Sequence, residues 1–239
     1  MTDQAAVNPY SAPTSVVEKV NSSDEVFFCD AKKLTAGQGN RIVVDAWRIY
    51  KESPFKWTFL SILSFAVMML ITKVPVVGAF IGSLFYVPLF AGLLIGAREV
   101  EQGGKLRFDH LFSGIKANPK GVFGLAVALT ILSLANMGLA FYFMGGENFM
   151  AIYGGQEIDP ETLVADPEKI MTGMLAMLFG TFFLTMFYWF STPLVTLQSI
   201  GVFKALGMSF KACLKNWLAL TVYGFVIAFW MIVSIIPVG

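Results

Sequence analysis

The sequence predicts an all-α, polytopic membrane helix bundle, with about five transmembrane helices and cytoplasmic interfacial amphipathic helices. Three observations predict it. Of the 239 residues 56% are hydrophobic and only 14% charged, where a soluble domain carries about 25% charged residues. Five apolar stretches reach the roughly 20 residues that a bilayer core demands at 1.5 Å of rise each. Past Lys56, at the start of the first stretch, none of the five contains Asp, Glu, Lys, Arg or His. Helices follow, because in lipid every backbone polar group must find its partner within the segment.

Residues 1–40 come first and are mostly polar, with Pro9, Pro13 and scattered Ser and Thr. They read as a disordered cytoplasmic tail, and no basic stretch leading into an apolar one marks a cleavable signal peptide. Residues 41–239 form the transmembrane domain. Its spans are expected at about Phe55–Ile71, Val76–Ala97, Val122–Met144, Ile170–Ser191 with a continuation past Pro193, and Trp217–Ile236. Charge then sets the orientation. Fifteen of the seventeen basic residues precede or open the first span, separate the second from the third, or separate the fourth from the fifth; only Lys73 and Lys169 lie opposite. Positive-inside bias places the N-terminus in the cytoplasm and the acidic 145–169 loop in the periplasm. That loop lacks cation-binding spacing and reads as solvated.

An internal repeat is expected. Val87-Pro88-Leu89 in the second span matches Thr192-Pro193-Leu194 in the fourth. The approaches to the first, third and fifth spans (46–54, 111–119 and 208–216) each interleave apolar residues with Lys or Arg and close on Ser or Asn. Such segments suit the membrane interface, with Ser53, Asn118 and Asn216 capping the spans that follow. Val74-Pro75-Val76-Val77-Gly78 after the first span is echoed by Ile236-Pro237-Val238-Gly239 after the fifth, so the last unit lacks its return helix. Phe229, Trp230 and Ile232 are therefore expected to be exposed.

These residues resemble a family of Gram-negative multi-pass inner-membrane proteins. The resemblance rests on the tail Asn8-Pro9-Tyr10-x-x-Pro13, on Gly37-x-Gly39, on the Pro-Val-Val-Gly turn, on Pro88-x-x-x-Gly92 and on Ser209-x-x-Ala212-x-x-x-Asn216. It covers most of the chain after about residue 35. It implies an inner-membrane location and a six-span bundle without an assigned reaction; the sixth span is missing from this sequence.

Chemistry is sparse. His110 is the sole histidine, beside Asp109, and reads as a solvated interfacial residue. Cys29 and Cys213 have no metal-ligand spacing and stay reduced in the cytoplasm. Neither a phosphate-binding loop nor a nucleophile elbow occurs. No catalytic, cofactor or metal site is expected, the chain does not read as an enzyme, and its balanced charge excludes nucleic acid as a partner. Two small-x-x-x-small pairs in the second span, Gly78/Gly82 and Gly92/Gly96, are expected to pack helices closely within the chain, and Asn136 to hydrogen-bond between helices. The expected partners are the bilayer and another membrane protein or a second copy, with Asn8, Pro9, Tyr10 and Pro13 as a candidate interaction motif. Charge-free spans favour a scaffold or accessory subunit of a membrane complex; the alternative is a transporter or lipid-handling protein, which needs a cavity at mid-membrane depth.

Overall fold

The computed structural model describes residues 33–73, 77–153 and 166–235. Helix α1 (Ala36–Glu52) begins before the expected boundary at residue 40. Ser53-Pro54 ends it, because Pro54 has no N–H to continue the ladder yet costs nothing at the first position of α2 (Pro54–Thr72). The Ser53 hydroxyl makes no cap; its backbone carbonyl accepts from the Trp57 N–H at 3.0 Å. Helix α3 (Val77–Glu101) runs through Pro88. A turn at Gly103, in the left-handed region at φ 84°, leads to a short 3-10 helix (Phe108–Phe112) and α4 (Ser113–Ala117). Then come α5 (Pro119–Met144), α6 (Gly146–Tyr153), α7 (Pro167–Gln198) with Pro193 inside, α8 (Val202–Lys215) and α9 (Trp217–Ile235).

Helices α2, α3, α5 and α7 are each long and apolar enough to cross a membrane; α8 and α9 qualify only as a pair, broken by an 82° bend. Their surfaces agree with that reading. Ile62, Phe65 and Leu70 on α2, and Leu178, Phe179 and Phe182 on α7, are exposed. A monomer in water does not tolerate so large an apolar surface, whereas lipid does.

Helix α5 packs most extensively on α7, α7 on α8, and α3 sits between α2 and α5 while also touching α7. Leu60, Leu89, Val100, Leu106 and Leu111 join α2, α3 and the 3-10 segment in one buried cluster. Ala140, Met144, Phe149 and Ile170 form another where α5, α6 and α7 meet. Helix α9 has α1 as its main neighbour and touches α8 only slightly. Phe229, Trp230 and Ile232 on α9 are exposed.

Several expectations change at this level. The approach to α5 is not one amphipathic helix but the 3-10 turn and α4, folded back on α3 with His110, Leu111 and Gly114 buried. Part of the expected 145–169 loop is helical. Gly145, at φ 81°, turns the chain out of α5, and α6 then buries Phe149. Residues 154–165, Val74-Pro75-Val76, the tail residues Asn8, Pro9, Tyr10 and Pro13, Cys29, and Ile236–Gly239 lie outside the described residues.

Candidate functional site

Three of the membrane-length helices turn hydroxyl-bearing faces toward one another. On α3, Ser83, Tyr86 and Val87 share a face; on α5, Leu129, Thr130 and Ser133 do; on α7, Thr181, Leu184, Thr185 and Tyr188 follow the i, i+3, i+4, i+7 spacing of a single stripe. Between them is a chamber of about 330 Å³, open on one side. Thr130 and Ser133 lie at the middle of the 26-residue α5, and Thr181 and Thr185 at the middle of the 32-residue α7. No charged side chain lines it.

The hydroxyls differ in how fully they are used. Ser83 Oγ lies 2.7 Å from the Phe80 carbonyl and 2.9 Å from Thr130 Oγ1, which itself donates to the Ala126 carbonyl at 2.8 Å. Two protons there serve three contacts, so that pair is saturated. Thr185 donates back to the Thr181 carbonyl at 2.8 Å. Thr181 Oγ1 accepts from Asn136 Nδ2 at 3.2 Å, which leaves its own proton unspent. Ser133 makes no hydrogen bond to the described residues. The Tyr188 hydroxyl is buried with no partner at full hydrogen-bonding geometry, and Tyr86 is the polar neighbour that acts on it. Tyr86 and Tyr188 stand 5.8 Å apart between ring centroids at 36°, and Phe90 backs both, at 6.3 and 6.1 Å.

Helix α8 holds the α7 wall of the chamber in place. Ser209 is fully buried; its Oγ donates to the Met186 carbonyl at 2.7 Å and accepts from the Phe190 N–H at 2.9 Å. Those two backbone groups are the partners that an α-helix joins at i and i−4, so a side chain from another helix bridges one rung of α7. Tyr188 sits within that rung. The C-terminal carbonyls of α7 are tied as well. Arg98 Nη1 donates to Leu197, Asn118 Nδ2 to Val195 and the Ile200 N–H to Leu194, at 3.1, 3.0 and 3.2 Å.

Helix α3 is approached with comparable closeness. A Cβ on Gly114 would lie 2.6 Å from the Pro88 carbonyl and 2.7 Å from the Gly92 nitrogen. One on Gly92 would meet the His110 and Leu111 carbonyls, and one on Gly96 would lie 2.9 Å from Leu106. Gly78 and Gly82 face α2 instead, Gly78 against Ile71 and Gly82 in ordinary contact with Met68 and Thr72.

The remaining candidates are structural. Asn136 is buried and hydrogen-bonds between helices, to Thr181 and to the Met177 carbonyl, with its amide oxygen unpaired against Gly180. Asn118 caps α5 by accepting from the Gly121 N–H at 3.0 Å. Asn216 does not cap α9: its Oδ1 is taken by the Leu34 N–H and its Nδ2 by the Ala212 carbonyl. His110 is buried rather than solvated. Its Nδ1 accepts from the Arg107 N–H at 3.1 Å, which assigns the proton to Nε2, 3.8 Å from Glu99. Among the described residues no three His, Cys, Asp or Glu come together as metal ligands.

Sequence reasoning missed the chamber and the Ser209 bridge. The signal for the first was the Thr181, Thr185, Tyr188 spacing; Ser209 was conspicuous only as part of a family-like run.

Fold and surface define an all-α bundle built for a lipid environment. The chain is similar to a probable inner membrane protein of Burkholderia thailandensis, at 25% identity over 182 residues that cover 74% of this chain and 67% of that protein. It matches no family model and no solved structure.

Proposed function

We propose that this is an inner-membrane protein whose α3–α5–α7 chamber binds an uncharged amphiphile taken laterally from the bilayer. This favours the lipid-handling or transport role over a scaffold. The observation that carries it is a charge-free, hydroxyl-lined space of about 330 Å³ between three membrane-length helices, at the middle of α5 and α7. A scaffold needs helix faces, not an unfilled space holding the Tyr188 hydroxyl, which is buried without a partner at a cost in free energy unless something meets it.

Two further elements belong to this reading. The N-terminal tail is cytoplasmic and the 145–169 segment periplasmic, on the strength of the basic-residue asymmetry. The chain also contains two related units, α3 with the 3-10 segment and α4, and α7 with α8. In each, a proline-containing span is followed by a segment that docks back on the span near its proline. Proline-interrupted helices in corresponding positions of repeated units are where membrane transporters build their sites.

Lipid extraction tests the proposal. Protein purified in mild detergent should carry a neutral lipid enriched over the bulk membrane extract. Thr181→Phe, which fills the chamber, should lose it while keeping its helical circular dichroism. Equal lipid profiles for wild type and Thr181→Phe would overturn the binding role.

A further inference from the structure

Resting on the chamber as a binding site, its chemistry says what kind of headgroup it takes. We infer that the ligand is a lipid whose headgroup is an uncharged planar ring bearing carbonyl oxygens, that is, a lipid-soluble quinone. Four observations converge.

The first is the protons on offer. Tyr188 on α7 has a buried O–H, and Ser133 on α5 and Thr181 on α7 have exposed ones, that no acceptor among the described residues takes up at full hydrogen-bonding geometry. They come from two helices, so a ligand held between them meets donors from two walls. A carbonyl-bearing ligand satisfies all of them, whereas a ligand offering only donors satisfies none. The second is the absence of charge. No Lys, Arg or His lines the space, so an anionic headgroup would be buried without a counter-charge, at a cost of several kcal/mol. A cation would find no carboxylate.

The third is the wall itself. Tyr86, Tyr188 and Phe90 form a mutually contacting aromatic group, with centroid separations of 5.8, 6.1 and 6.3 Å. Tyr86 and Tyr188 line the chamber, and their ring faces and edges favour another flat ring. The fourth is depth. The polar residues sit at the middle of α5 and α7, about 15 Å from either edge of the hydrocarbon. Glycerolipid ester carbonyls are held at the interface by their headgroups. A neutral ring on a hydrocarbon tail resides at this depth, and the open side of the chamber leaves room for the tail.

The test uses the full-length protein in mild detergent, with radiolabelled decyl-benzoquinone as the probe. Diolein supplies ester carbonyls without a ring, and decanol supplies a hydroxyl without a carbonyl. Saturable one-to-one retention of the quinone is expected, weakened about tenfold by Tyr188→Phe and by Ser133→Ala, the loss that one hydrogen bond represents. Thr181→Phe should abolish it. Size-exclusion profiles and circular dichroism should show all three variants folded. Comparable retention of diolein or decanol, weakened by the same variants, would overturn the quinone headgroup and leave the amphiphile site standing. Quinone retention that ignores all three variants would also overturn it, as partition into the micelle. So would no quinone retention by a protein that still carries an enriched neutral lipid.

Discussion

Replacing Ser209 by Ala removes one oxygen atom from the interior and asks two backbone groups to find new partners. The hydroxyl lies 2.7 Å from the Met186 carbonyl and 2.9 Å from the Phe190 nitrogen, in a residue with no exposed surface. The cost is small to the extent that α7 is free to tighten its own pairing of the Phe190 N–H with the Met186 carbonyl. That helix is not free, because Arg98, Asn118 and Ile200 hold the carbonyls of its last turns. The thiol of Cys213 is 3.6 Å from the Met186 carbonyl, a poor substitute. An unsatisfied buried backbone group costs about 1–3 kcal/mol. Hydrogen bonds between membrane helices average about 0.6 kcal/mol and reach about 1.7, because the unfolded chain in lipid also finds partners. Ser209→Ala should therefore lose about 1–2 kcal/mol in reversible unfolding from mixed micelles, followed by circular dichroism. Cys213→Ala should lose less. A Ser209→Ala protein within about 0.3 kcal/mol of wild type, well below a single buried hydrogen bond, would show that the bridge does not hold the rung.

Gly92→Ala should destabilise by about 1–3 kcal/mol, since overpacking must move the His110 and Leu111 backbone. Gly82→Ala, with only the ends of Met68 and Thr72 at 3.4 Å, should be neutral or gain up to about 1 kcal/mol of helix propensity; equal effects in detergent unfolding would refute the distinction. Cys213, on α8 outside the four individually membrane-length helices, is buried, and burial pushes its thiol up to about 11. In a Cys29→Ala protein it should react with an impermeant maleimide at neutral pH only after unfolding, and rapid labelling of that folded protein would contradict the packing of α8 on α7. Phe203→Cys in a background where both Cys29 and Cys213 are replaced by Ala presents an exposed site on the same helix. It should label in inverted vesicles and not in intact spheroplasts, the reverse result overturning the orientation. A reporter fused after Ile235 should be periplasmic. A cytoplasmic reporter would mean that α9 lies along the interface with α1, whose Arg41, Asp45 and Arg48 keep that pair out of the hydrocarbon.

The helices that could cross the membrane were legible because each is an uninterrupted apolar run set off by charge, and nothing tertiary is needed to see one. Asn136 was legible for a related reason: an amide in a span has few roles other than bonding to a neighbour. His110 was misjudged because its burial depends on glycines far from it in sequence. Gly92 and Gly96 lack the side chains that would hold the 3-10 turn away from α3. The chamber was hidden in residues that individually mean little. A Thr in a span bonds its own helix, as Thr130 and Thr185 do. Only the meeting of three helices distinguishes Ser133 and Thr181, whose protons are unspent, from those whose protons are used. Asn216 shows the opposite failure, in which the right residue at the right place is claimed by the Leu34 N–H from the other end of the described chain.

The two prolines tie these features together. Each lacks an N–H, so the carbonyl four residues earlier, Leu84 before Pro88 and Trp189 before Pro193, loses its usual partner, and the ring pushes that turn outward. On α3 the chamber is lined by the residues leading into Pro88, with Ser83, Tyr86 and Val87, and on α7 by the stripe from Thr181 to Tyr188, which lies more than one turn before Pro193. The space therefore lies on the N-terminal side of both prolines, beside the turns where each helix lacks one rung of its ladder. A span missing a rung is braced from outside, and the two are braced differently. Against α3 the returning segment uses Gly114, whose missing side chain lets backbone meet backbone. Against α7 it uses Ser209, whose hydroxyl joins the ladder itself. The second brace can be removed by deleting one atom while the first cannot. Loss of the hydroxyl should therefore loosen the Tyr188 wall and leave the Tyr86 wall in place, so Ser209→Ala should weaken whatever the chamber holds through Tyr188 alone.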